Sequence, residues 1–101
     1  MNDTLSFVIL SYRDKRTRDF AEGNRVKAFF SIERSARLKL DRLEAATSTR
    51  DLAALPGNRF EALHSDRKGQ FSIRINDQWR ICFSWEGGAP GPSNVEIVDY
   101  H

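Results

Sequence analysis

The chain has 101 residues, 40% of them hydrophobic, which suits one compact domain spanning residues 1–101 with its own core. One cysteine excludes an internal disulfide framework, and two histidines beside it leave too few soft ligands for a zinc site. No run of ~18 apolar residues is present to span a membrane, and a net charge of +2 permits nucleic-acid binding without demanding it.

The start, MNDTLSFVILSYR, has neither a basic n-region nor a small-residue cleavage site, so no signal peptide is expected. A lone Cys82 fits a reducing, cytoplasmic setting. Residues 5–10 are β-branched and aromatic enough for a first strand. Ser11 is a predicted N-cap for a short helix over 13–22, which Gly23 and Asn24 stop. The basic cluster of Arg13, Lys15, Arg16 and Arg18 is either a nucleic-acid contact or a solvated helix face.

Residues 25–47 read as a longer helix. Val26, Phe29, Phe30, Ala36, Leu40, Leu43 and Ala46 recur at spacings of three and four. Ile32 and Leu38 stray from that stripe, which predicts a kink or a second buried side. Ser48 to Asp51 restarts a cap for one more turn, and Pro56-Gly57-Asn58 ends it.

From Arg59 the pattern is that of strands. Residues 59–64 form a short one, with Phe60 and Ala62 on one face, and 65–69 a charged turn. In FSIRINDQWRICFSW, residues 71–85, odd positions are apolar and even positions polar or small. Two runs of equal parity around Asn76-Asp77-Gln78 predict a hairpin with a three-residue loop and Ile75 opposite Trp79. Residues 86–94, rich in Gly and Pro, are an expected mobile surface loop, and 95–101 a last strand. Helices followed by neighbouring strands indicate an α+β fold: an N-terminal strand and two helices packed on one face of a small antiparallel sheet.

The hairpin register sets Arg74 opposite Arg80 on the face away from the helices. Like charges there are destabilising unless something neutral or anionic intervenes. Phosphate is one solution, because a guanidinium offers a planar fork of donors; splaying into water or pairing with a nearby carboxylate is another. Parity puts Glu96, Val98 and Tyr100 on the same side, with Asp99 and His101 flanking and His64, Arg67 and Lys68 as candidate neighbours. Such a set can cleave RNA by moving a proton off a 2′-hydroxyl, giving one to the leaving 5′-oxygen and stabilising the charge between. Residue types alone do not decide between that chemistry and a sheet-capping tyrosine beside a frayed end.

The segments RFEALHS and DRKGQFSIRINDQWRICF, followed by the terminal VEIVDYH, are similar to the HigB branch of the RelE/ParE toxin superfamily. The similarity is strong over residues 37–101. It implies a RelE-like fold and the toxin of a type II toxin–antitoxin pair, a ribosome-dependent endoribonuclease that cuts translated mRNA without a metal or other cofactor. It also implies a helix-turn-helix, HigA-like antitoxin encoded beside it, and operator DNA bound through that antitoxin. By position, Arg80 corresponds to the transition-state arginine. Asp99, Tyr100 and His101 match terminal residues implicated in cleavage, and Arg67, Lys68 and Arg74 are expected to bind RNA or ribosomal phosphate. Two departures stand out. Glu61 occupies a place where some members have a cleavage histidine. His64-Ser65 replaces a common Lys-Gly, so His64 becomes either a weaker cation or a candidate base. A non-catalytic inhibitor of a protein target, as on the ParE side, and a degenerate toxin that only binds antitoxin and operator are the rival readings.

Overall fold

A computed structural model describes residues 8–99. Helices α1 (Lys15–Ala21), α2 (Glu33–Ala45) and α3 (Thr49–Ala53) precede strands β1 (Glu61–Ala62), β2 (Gln70–Arg74), β3 (Trp79–Ser84) and β4 (Ser93–Asp99). The strands form one antiparallel sheet in the order β1-β2-β3-β4. This is the α+β arrangement the pattern predicts. No described helix is long and apolar enough to cross a membrane.

Alternation decides which face meets the helices. Ile73, Ile75, Ile81, Phe83, Val95 and Ile97 join Phe20, Phe29, Ala36, Leu40, Leu43 and Leu52 in one buried cluster. Phe29 packs edge-on against both Phe20 and Trp79. The even-numbered side chains point the other way, over a smaller buried cluster of Leu63, Cys82 and Val98.

The helix ends follow local chemistry. Asp14, not Ser11, caps α1: its backbone is extended and its carboxylate accepts from the Thr17 N–H at 3.0 Å. The Ser11 hydroxyl is engaged elsewhere, accepting from Asn94 N at 2.9 Å. Gly23, at φ +98°, ends α1 in a Schellman turn, with Gly23 N donating to Phe20 O and Asn24 N to Asp19 O. The predicted helix over 25–47 is two pieces, a 3-10 segment Lys27–Ile32 and then α2. Ile32 is buried at the joint, whereas Leu38 and Phe30 are exposed. The break is the one that the straying Ile32 signals. Phe30 is a miss: it lies outside the core, beneath the Arg25 guanidinium at 4.2 Å.

Two further expectations are corrected. The predicted strand over 5–10 is not a strand where it is described, and its residues 5–7 lie outside the described residues. The chain from Leu10 to Arg13 instead runs beside β4 through a single parallel bridge, Tyr12 with Val95. The ladder cannot extend because Pro92 has no N–H and Asn94, at φ +53°, turns out of the extended region. Nor is 86–94 wholly a surface loop. Gly91 and Pro92 are buried, Pro92 O accepts from Leu10 N, and a Cβ on Gly91 would sit 1.8 Å from Val8 O. Backbone there approaches backbone, which only glycine permits.

A buried lysine fixes the approach to the sheet. Lys39 Nζ donates to Gly57 O at 3.0 Å and to Asn58 Oδ1 at 2.9 Å, and Asn58 Nδ2 donates to Leu52 O. Burial, and then the neighbouring Arg42 and Arg74 charges, hold the Lys39 pKa below its ordinary value. This staple clamps the turn Pro56–Asn58, from which Arg59 and β1 emerge.

Candidate active site

The hairpin forms as its parity requires. Arg74 is registered opposite Arg80, and Ile75 N donates to Trp79 O at 2.9 Å. Asn76 folds the three-residue loop, its Oδ1 accepting from both Gln78 N and Trp79 N at 2.8 Å. The loop also separates the two cations. Arg74 Nη2 pairs with the carboxylate of Asp77, and Arg80 Nη1 donates to Asn76 O at 2.7 Å. The carboxylate solution to like-charge pairing is therefore used for Arg74. The Asp77 side chain is 97% exposed, so this pair is weak.

Register then sorts the outer face into rungs. One holds Arg74, Arg80 and Val98; the next holds Glu61, Ser72, Cys82 and Glu96. Arg59 lies two residues before Glu61, just outside the paired strand. Arg59, Phe60, Glu61 and Arg80 line a cleft of about 390 Å³. Arg59 enters it from a left-handed backbone, φ +45°, closed by Arg59 N donating to Pro56 O. The Phe60 ring stacks on Phe71 at 5.2 Å and anchors this short edge strand.

The other expected site residues are distributed as follows. Arg67 shares the outer face, donating to Gln70 Oε1 at 3.0 Å and pairing with Glu96 at 3.3 Å; Arg13 reaches the same Glu96 oxygen at 3.6 Å. Lys68 is exposed in the turn after Arg67. His64 is exposed beyond Leu63, whose N–H donates to Gln70 O. That sets His64 four to five residues along β2 from Arg74, roughly 15 Å of strand. Asp99 sits across from Trp79 and accepts from Gln78 Nε2 at 3.0 Å. Tyr100 and His101 lie outside the described residues. Among the described residues, no group of three or more His, Cys, Asp or Glu side chains is arranged to hold a metal.

A family model described as the RelE-like toxin HigB of type II toxin–antitoxin systems matches residues 10–101. The chain belongs to the HigB-like toxin family. It is similar to Toxin HigB-1 of Vibrio cholerae serotype O1, 41% identical over 81 residues that cover 78% of this chain and 85% of that protein. It is thus the toxin of a type II toxin–antitoxin system, and an antitoxin partner follows from that membership.

As a HigB-like toxin the chain carries one cleft residue that sequence reasoning did not single out, Arg59, beside Glu61, which the resemblance had set where some members have a cleavage histidine. Their signal was available in part. Setting Phe60 and Ala62 on the helix face already turns Arg59 and Glu61 outward. The pairing of so short a strand, which sets Glu61 level with Ser72 and Cys82, one rung from Arg80, is a tertiary fact.

Proposed function

We propose that this HigB-like toxin is a cytoplasmic mRNA interferase, cutting messenger RNA in the ribosome by metal-independent acid–base chemistry. The observation that carries the reading is the open cleft lined by both Arg80 and Glu61, with Arg74 on the strand next to Arg80. Cleavage needs the 2′-oxygen to bond to phosphorus while the bond from phosphorus to the 5′-oxygen breaks. One proton leaves the 2′-hydroxyl and one arrives at the 5′-oxygen. Glu61 is the acceptor of the first, taking the place that a histidine has in some relatives. The terminal Asp99, Tyr100 and His101 carry the second and stack the substrate base. Arg80 stabilises the extra negative charge on the phosphate, where a fixed guanidinium is worth far more than water. Arg74, Arg67 and Lys68 hold RNA or ribosomal phosphates. His64, several residues along the sheet, is a contact to RNA rather than the base. The antitoxin is of the helix-turn-helix kind and carries the complex to operator DNA.

Expression of the wild type should arrest growth and create new 5′ ends within translated messages. Arg80→Ala should remove both, reducing cleavage by at least about a hundredfold, since losing one charge-stabilising donor costs this much in other enzymes. Growth arrest without new 5′ ends would favour an inhibitor of a protein target. Undiminished cleavage by Arg80→Ala would remove Arg80 from the mechanism.

A further inference from the structure

The cleft has a third charged wall that the chemistry above does not use. Arg59 lines the cleft together with Phe60, Glu61 and Arg80. No described carboxylate lies within ion-pair reach of Arg59. Its position is fixed rather than incidental. The buried Lys39 and Asn58 clamp the preceding turn, and the stacked Phe60 and Phe71 rings hold the residue that follows. The volume of about 390 Å³ lies at the small end of the ~300–1,000 Å³ typical of ligand clefts, enough for one nucleotide and not several.

We infer that this cleft is a subsite for a single nucleotide, the one whose 2′-hydroxyl attacks, with Arg59 binding the phosphate on its 5′ side. The cleft has room for one nucleotide and is lined by two guanidinium groups, and one nucleotide within a strand has two phosphates. Arg59 meets the 5′-phosphate, the Glu61 carboxylate meets the 2′-hydroxyl, and Arg80 meets the 3′-phosphate at which the chain is cut. With Glu61 at the 2′-hydroxyl and Arg80 at the phosphate being cut, the phosphate left for Arg59 is the one on the 5′ side, which sets the direction of the strand. A carboxylate placed instead beside a phosphate would repel it. The assignment rests on the interferase reading, and it makes Arg59 a binding residue rather than a catalytic one.

The test is a titration that requires no cleavage. Isotope-labelled wild type and Arg59→Asn are titrated with cytidine 3′,5′-bisphosphate and with cytidine 3′-monophosphate, and amide shifts are followed by NMR. Asparagine removes the charge yet tolerates the left-handed backbone, and an unchanged spectrum elsewhere verifies the fold. Shifts centred on residues 59–61 and 80 are expected. Arg59→Asn should weaken the bisphosphate about tenfold, as for loss of one charge-assisted contact, and leave the monophosphate within about twofold. The salt dependence of bisphosphate binding should also become shallower. Equal losses for the two ligands, or shifts lying elsewhere on the molecule, would overturn the subsite. Binding as expected by a protein that leaves ribosomal mRNA intact would overturn the interferase reading and keep the nucleotide site.

Discussion

At the scale of single residues, the outer face is a set of charges laid on a dry floor. Cys82 reports on it. The thiol is fully buried, and burial pushes its pKa up to about 11, although Arg67 and Arg80 pull it down and Glu96 adds to the rise. It stays protonated at neutral pH and is a poor nucleophile. Iodoacetamide should therefore modify native protein far more slowly than unfolded protein at mildly alkaline pH, with mass spectrometry as the readout. The sign of the linkage follows. The unfolded chain loses this proton first, near its ordinary value of 9.0, so the contribution of Cys82 to stability is complete below that and is lost as pH rises toward 11. Rapid alkylation of the folded protein would mean that the floor is open. Glu96 has a different part. One of its oxygens serves both Arg67 and Arg13, tying the turn after β1 to the segment before α1 and keeping two cations at the edge of the face.

At the scale of elements, position is inherited from packing. The Lys39 ammonium is 7% exposed and has backbone and amide oxygens for partners. Lys39→Ala should leave the buried Asn58 Oδ1 unsatisfied and cost about 1–3 kcal/mol, seen as a lower Tm in thermal unfolding. Because the clamp positions Arg59, RNA binding should weaken alongside; a variant with unchanged Tm would deny the clamp. Strands β2 to β4, the hairpin loop and the opposition of Arg74 to Arg80 were legible in the sequence because period-two alternation has one solution once a face must be buried. The joint at Ile32 was legible for the same reason, as a break in a helical stripe. What stayed hidden needed long-range pairing. Glu61 and Ala62 form an edge strand too short to announce its register, and nothing in Arg59 itself says that it shares a cleft with Arg80. The segment around Gly91 misled because Gly and Pro usually mark exposed turns; here their small size and missing N–H serve a buried crossing under Val8. Ser11 was a sound cap by type, but Asn94 takes its hydroxyl.

At the scale of the whole molecule, the sheet divides the labour. One face buries α2 and the large aromatics and supplies the stability. The other carries Arg74 opposite Arg80, with Arg59 and Glu61 lining a cleft beside Arg80. A modest net charge of +2 hides this concentration, because Lys15, Arg16 and Arg25 on the helical side have acidic partners of their own. Growth arrest alone would not distinguish an RNA-cutting face from a protein-binding one. The decisive measurement is cleavage of a defined message by purified toxin, with and without ribosomes halted on it, read by primer extension. The account predicts a break at the ribosomal decoding position, leaving a 5′-hydroxyl on the downstream fragment, and no break in free RNA. An intact message on toxin-loaded ribosomes would contradict it.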